Sequence, residues 1–318
     1  MSLSPGTSTG VGGSTPTAGH LGESLVDSAE GGEVAPGMGT VRHLLSVFCS
    51  SRLAIAGFGL IVVMSLFCFV GPLLYHTNQQ IPNPAIVNLP PSALHPLGTD
   101  STGYDELGRL MVGGQSSLEV GVGVGILSTA IGVLWGAAAG FVGGIFDSVM
   151  MRVVDVFMSI PSLLLLILLA DVITPSTWFV IVIFSILGWQ GLARLIRGET
   201  LSLRVKEFVS AARCSGARNS RVILRHIIPN SVGTIVVNAA FGVADAILGL
   251  AALSFLGLGL PPPAANWGGM LSTGTTYIYS NYWWETYFPG ICLVLTVLAF
   301  NFIGEALRDS LQIRSVRG

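Results

Sequence analysis

The stretch EFVSAARCSGARNSRVILRHIIPN, residues 207–230, decides how the rest of the chain is read. It carries Arg213, Arg218, Arg221 and Arg225 within an oily sequence. The 318-residue chain is 51% hydrophobic and 10% charged, with a mean hydropathy of +0.72. Soluble domains carry roughly 25% charged residues. So little charge cannot solvate a globule of this size, which leaves a polytopic membrane protein as the class. The arginine-rich stretch is then a loop held in water. The formal net charge of -2 says little, because it averages over two sides of a bilayer.

A helix needs about 20 mostly apolar residues to cross the hydrocarbon core. Six runs qualify: 53–74, 117–142, 149–170, 177–196, 232–258 and 289–307. Backbone groups in lipid must be bonded internally, so these runs are expected to be helices. The predicted fold class is all-α, a polytopic membrane protein with six transmembrane helices. The third run is the least regular, because it carries Arg152, Asp155 and Pro161.

The basic residues set the orientation. Arg42 and Arg52 precede the first run, and Arg152 lies near the start of the third. Arg194, Arg197, Arg204, Lys206, Arg213, Arg218, Arg221 and Arg225 fall between the fourth and the fifth. Arg308, Arg314 and Arg317 follow the sixth. All basic residues but Arg109 lie on one side if both termini are cytoplasmic. Residues 207–230 are then expected in the largest cytoplasmic loop.

Residues 1–37 are rich in Gly, Ser, Thr and Pro. They cannot bury enough apolar surface to offset the entropy of ordering. They lack the basic start and apolar core of a signal peptide, and are read as a disordered cytoplasmic tail. The four cysteines, Cys49, Cys68, Cys214 and Cys292, form no CxxC pair and have no histidines at metal spacing. No disulfide and no metal site are expected.

The loop reads as structured. Residues 197–225 have a helical pattern, broken at Cys214-Ser215-Gly216, with Gly216 suited to a helix C-terminus. Phe208, Ala211, Ala212 and Ser215 fall near one small, mildly apolar face. Such a face lets the backbone of a partner approach closely. Pro229 is expected to stop the second helix before the chain re-enters the membrane at Val232. Retention of positive charge on the inner face accounts for the arginines alone, but not for this pattern.

Ser210-Ala211-Ala212, then Gly216, then Pro229, resembles the EAA motif of ABC-importer permeases. Further stretches strengthen the likeness: HPLGTDSTGYDELGRL (95–110), GFVGGIFDSVMMRVVDVFMSIPSLLLLI (140–167), RHIIPN (225–230), LSFLGLGLPPPAANWG (253–268) and FNFIGEALRDSL (300–311). Together they resemble the C-type permease subunit of dipeptide, oligopeptide and nickel importers, over about residues 41–311. The resemblance implies a type I importer permease fold over residues 38–318, in a bacterial inner membrane. It implies that residues 197–230 form a coupling loop that docks on an ATPase subunit. It implies four kinds of partner: a second homologous permease, two P-loop ATPase subunits, an extracytoplasmic solute-binding protein and a peptide substrate. Nickel or another small solute is the rival cargo.

The chain departs from the family pattern at three places. Ser210 replaces the glutamate that names the motif, and Glu207 lies one helical turn earlier. Tyr104 stands where the family usually has arginine. Leu250 takes the place of a frequent glutamate in the fifth span, and an acid occurs instead at Asp245. The coupling residues are therefore expected to be Glu207, Ser210, Ala211, Ala212, Gly216 and Pro229.

No G-x-x-x-x-G-K-[ST] stretch is present, so the chain has no phosphate cradle and needs no cofactor of its own. Hydrolysis would fall to partner subunits, and the chain itself is not read as an enzyme. Asp245 lies well inside the fifth span, where an ionisable group costs at least ~2.5–3.5 kcal/mol. It should face the translocation pathway, or bond to a neighbouring span. Glu119, near the outer end of the second span, is a second pathway candidate or a subunit contact. Arg152 and Asp155, three apart, are expected to pair on one helix. His95, Asp100 and Asp105 make a weak metal set, and Asp105 suits a helix N-cap. Trp267, Trp283 and Trp284 suit anchoring at the membrane interface. The spacings Gly121…Gly125 and Gly132…Gly136 allow tight packing, either inside the bundle or against a second permease. A secondary transporter would want several buried acids and internal repeats. A channel would want a ring of filter residues. The sequence offers neither.

Overall fold

The computed structural model describes residues 51–172 and 176–317. The tail expected over residues 1–37 lies outside the described residues. The helices are α1 (Arg52–Phe69), α2 (Glu106–Val142), α3 (Gly144–Ser159), α4 (Ser162–Val172), α5 (Thr177–Gly188), α6 (Gln190–Leu203), α7 (Glu207–Cys214), α8 (Val232–Phe255), α9 (Trp267–Tyr277) and α10 (Trp284–Arg317). Side-chain oxygens cap several of them, which satisfies backbone N–H groups that have no partner within the helix. Asp105 Oδ1 accepts from the Gly108 N–H at 2.9 Å at the start of α2, as its sequence position predicts. Asn266 Oδ1 accepts from the Gly269 N–H at 2.9 Å at the start of α9.

α1, α2, α8 and α10 are each long and apolar enough to cross a membrane. The third and fourth crossings are not the straight helices expected. α3 and α4 meet at 72°, and α5 and α6 at 45°, so each pair supplies at most one bent crossing. Pro161 sits at the first break, where its missing N–H and its ring oppose helix continuation. Trp189 sits at the second, buried against Trp135 at 4.8 Å and Phe157 at 5.9 Å between ring centroids.

α2 is the central helix, and its glycines set how closely the others approach. A Cβ on Gly121 or Gly125 would lie 2.5 Å from Ile247 or Val243 of α8. One on Gly132 or Gly140 would lie 2.9 Å from the Trp189 oxygen or 2.8 Å from the Arg197 oxygen, and one on Gly136 would overlap the Ala193 oxygen of α6. Both glycine pairs singled out in the sequence are thus occupied by packing within this chain, and do not form a face for another subunit.

Ion pairs fix the bent crossings. Asp147 of α3 receives two hydrogen bonds from Arg197 of α6, at 2.9 and 2.6 Å. Asp155 pairs with Arg194 of α6, which corrects the expected pairing with Arg152. The α6 backbone crosses near α3, so a tertiary partner is favoured over one on the same helix. Arg204 donates to the Gly140 carbonyl at 3.0 Å.

The opposite end of the bundle is closed by the 75–105 loop and by α9. Here two tryptophans depart from expectation. Trp267 is fully buried, and its Nε1 donates to the Leu110 carbonyl at 3.0 Å. Trp284 is 5% exposed, and its Nε1 donates to the Thr99 carbonyl at 3.1 Å. Both are core residues with satisfied N–H groups, not interface anchors. Trp283 remains exposed. His95, Asp100 and Asp105 have local structural roles. Asp105 accepts from Tyr75 and contacts His95, each at 2.9 Å. Asp100 Oδ1 accepts from the N–H groups of Thr102 and Tyr104. Among the described residues no three His, Cys, Asp or Glu side chains converge as a metal cage requires.

Candidate functional site

The arginine-rich loop is more broken than its sequence pattern predicts. α6 ends at Leu203, a turn covers residues 204–206, and α7 begins at Glu207. α7 then ends where predicted. Gly216 has φ +78°, its N–H donates to the Arg213 carbonyl at 2.9 Å, and the Ala217 N–H returns to the Ala212 carbonyl at 3.1 Å. The left-handed residue turns the chain and uses carbonyls that α7 leaves unpaired.

Pro229 does not stop a helix. It lies in a helical run from Asn219 to Asn230 that contains a π turn at Ile223–Ile227. Proline has no N–H to give its own turn, and a wider turn precedes it. The break comes two residues after it, at Ser231, and α8 begins at Val232 as expected.

α7 has two faces. Val209 is fully buried against Phe141, Val222 and Ile227, and Ala212 packs beside it. Arg213 lies 4.4 Å above the Phe141 ring. The other face is exposed and carries Glu207, Phe208, Ser210, Ala211 and Ser215. Ala212 therefore belongs to the inner face, contrary to its expected grouping with Ala211. The i, i+3 relation to Val209 turns it toward the core. Glu207 and Ser210 share the open face with Ala211, and Gly216 is exposed with open space around it. Beside α7, Arg218, Arg221, Leu224, Arg225 and Pro229 line an open groove of about 610 Å³. Arg194, Arg197 and Arg204 are held by Asp155, Asp147 and Gly140, whereas the arginines of the groove make no ion pair among the described residues and supply positive surface.

With this geometry in view, the comparisons are specific. Residues 132–316 match the family described as binding-protein-dependent transport system inner membrane component. Residues 42–91 match the N-terminal transmembrane domain of oligopeptide transport permease C.

The chain belongs to the binding-protein-dependent transport permeases.

Relatives of this permease include the oligopeptide transport system permease protein OppC of Bacillus subtilis, 39% identical over 83% of this chain and 87% of the relative. The dipeptide transport system permease protein DppC of the same organism is 38% identical over 82% of each. A putative peptide permease of Brucella suis is 40% identical over 90% of this chain and 95% of its own.

In the permease the two pathway candidates lie on outward-facing stripes. Asp245 is exposed on α8, in line with Leu248, Ala252 and Phe255. Among the described residues it has no hydrogen bond or ion pair, so the expected bond to a neighbouring span of this chain is not made. Glu119 is exposed on α2, in line with Val122 and Ile126. The two residues lie on different helices, and among the described residues no hydrogen bond or ion pair joins them.

Sequence reading missed two acids, Glu106 and Glu285. Both are 2% exposed at the end of the bundle away from α7. The only signal was their place in the first turn of a helix, where acids are ordinary on solvent-exposed surfaces.

Proposed function

We propose that this permease forms half of the translocation pathway of an ATP-driven importer of di- and oligopeptides. It pairs with a second homologous permease, two P-loop ATPase subunits and an extracytoplasmic binding protein. It spans a bacterial plasma membrane with both termini in the cytoplasm, in keeping with the basic residues that flank α7. ATP is bound and hydrolysed on the partner chains. The peptide permeases among its relatives favour peptide cargo over nickel.

The observation that carries the reading is the two-faced α7. Its inner face locks onto Phe141 at the end of α2 and onto the run that leads into α8. Its outer face, with Glu207, Ser210 and Ala211, is left open for the ATPase, and Gly216 and Pro229 shape the chain beside it. Closure of the ATPases then moves α7 as a rigid handle, with α2 and α8 attached. α8 carries Asp245, which faces the pathway or the second permease, because an acid facing lipid would cost ~2.5–3.5 kcal/mol or more. Glu119 on α2 faces the outer part of the same route.

Ala211→Cys tests the docking. A short bifunctional thiol reagent should cross-link it to a cysteine placed in the docking cleft of the ATPase, with a yield that changes when nucleotide is bound. Absence of the adduct in every nucleotide state overturns the assignment.

A further inference from the structure

A pocket of about 560 Å³ opens at the end of the bundle opposite α7. Its walls are the start of α2, the turn at Asp100–Tyr104, the end of α8 with the loop after it, and the first turns of α9 and α10. Leu258, Leu260, Pro261 and Met270 give it apolar sides. Glu106 and Glu285 also line it, and each is 98% buried, the complement of 2% exposure. Oε1 of Glu106 and both carboxyl oxygens of Glu285 lack a hydrogen-bond partner. The Ser101 backbone N–H approaches Glu285 without a bond of good geometry. Ser254 lines the same pocket, 3% exposed, with its Oγ also unpartnered.

Buried carboxyl groups are ordinarily paired or hydrogen-bonded, because removing one from water without compensation costs several kcal/mol or more. Here the nearby cation is otherwise engaged. Arg109 donates to the Pro263 carbonyl at 2.8 Å and stacks 4.3 Å over the Tyr104 ring. It forms no ion pair with either acid among the described residues. Asp100 and Glu285 both lie within electrostatic reach of Glu106, as does Arg109. Among the described residues no three His, Cys, Asp or Glu side chains gather here as a metal cage requires, but two carboxyl groups and a hydroxyl line the pocket. They suit a primary ammonium group, which offers three N–H donors to separate acceptors. The apolar walls suit a carbon body behind that group. The volume suits the end of a short peptide better than a protein surface.

We propose that this pocket binds the amino-terminal ammonium group of an arriving peptide, with Glu106 and Glu285 as acceptors and Ser254 as a supplementary one. The proposal rests on the peptide-importer reading and adds a contact made by the permease itself.

The test is equilibrium binding of radiolabelled tri-alanine to the purified permease–ATPase complex in nanodiscs, without the binding protein. Tri-alanine should compete at least tenfold better than N-acetyl-tri-alanine, which keeps the body and loses the charge. Glu106→Gln and Glu285→Gln, made separately, should each weaken tri-alanine at least fivefold and leave the acetylated peptide unchanged. Equal competition by the two peptides on the unaltered complex overturns the proposal without any variant. So does unchanged tri-alanine affinity in both variants. If the substitutions weaken docking of the binding protein while peptide affinity holds, the pocket serves a protein lysine and the proposal fails. If the complete transporter with its binding protein moves no peptide, the importer reading itself is wrong, a result separate from these.

Discussion

Arg197 and Asp147 join α6 to α3 through two parallel hydrogen bonds, at 2.9 and 2.6 Å. Asp147 is 8% exposed, so the pair is shielded on one side, and it clamps α3 to α6 just before the arginine-rich loop. Charge-assisted forked pairs of this kind are stronger than neutral hydrogen bonds. Asp147→Ala should lower the unfolding free energy by about 1–3 kcal/mol. Adding Arg197→Ala should cost much less than the sum of the single effects. Thermal unfolding of the unaltered protein, the two single variants and the double variant in one detergent checks this, and additive losses would show that the clamp contributes nothing.

Ala211 and Ala212 are neighbours with opposite surroundings. Ala212→Trp pushes into Val209 and Phe141 and should destabilise the permease by about 1–3 kcal/mol through overpacking. Ala211→Trp points outward and should leave the melting temperature within about 1 °C, since exposed substitutions are usually near neutral. It should nevertheless reduce ATPase recovery on co-purification at least tenfold. Full recovery with Ala211→Trp would place the docking face elsewhere.

Gly216 has a positive φ and empty space around a would-be Cβ. The effect of substitution is therefore one of backbone conformation alone. Gly216→Ala should cost about 1 kcal/mol, and Gly216→Asn less, because asparagine tolerates the left-handed region better. Gly216→Pro cannot adopt this φ and should uncouple transport from hydrolysis while the bundle still inserts. Normal transport by the proline variant would contradict the turn as described.

Gly136 tests the packing of the bundle. A Cβ there would overlap the Ala193 carbonyl oxygen of α6, a backbone atom that cannot rotate away. Gly136→Ala should destabilise by about 1–3 kcal/mol or more. Gly191→Ala, where a Cβ meets open space, should be close to neutral. Matched melting curves for the two variants decide it.

Tyr75 lies in the loop outside the spans, and its phenol is pushed up to about 12, first by burial and then by its hydrogen bond to Asp105. The folded state favours the neutral phenol. The associated stability is therefore complete below the ordinary pKa near 10 and is lost as pH rises through about 12. Near-ultraviolet absorbance should show one tyrosine ionising late, and Tyr75→Phe should remove that phase. Titration of all tyrosines together would argue against the contact.

The sequence by itself determined the class of this permease, its apolar crossings and the place of its arginine-rich loop. Lipid imposes that legibility: a span must be apolar along its whole length, and basic residues stay on one side, so both signals are written locally. The N-cap at Asp105 and the turn at Gly216 were legible for a similar reason, because each depends on the residue and its near neighbours. Only the tertiary structure decided the rest. The bends at Pro161 and Trp189, the exchange of Arg152 for Arg194 as the partner of Asp155, and the inward turn of Ala212 depend on which helix lies alongside. So does the burial of Trp267 and Trp284. Glu106 and Glu285, far apart in the chain, read as ordinary first-turn acids until folding brings them to one pocket. Hydropathy records where a residue can sit along the membrane normal. It holds no record of which residue from elsewhere in the chain will sit beside it, and that neighbour decides whether a charge is solvated, paired or left without a partner.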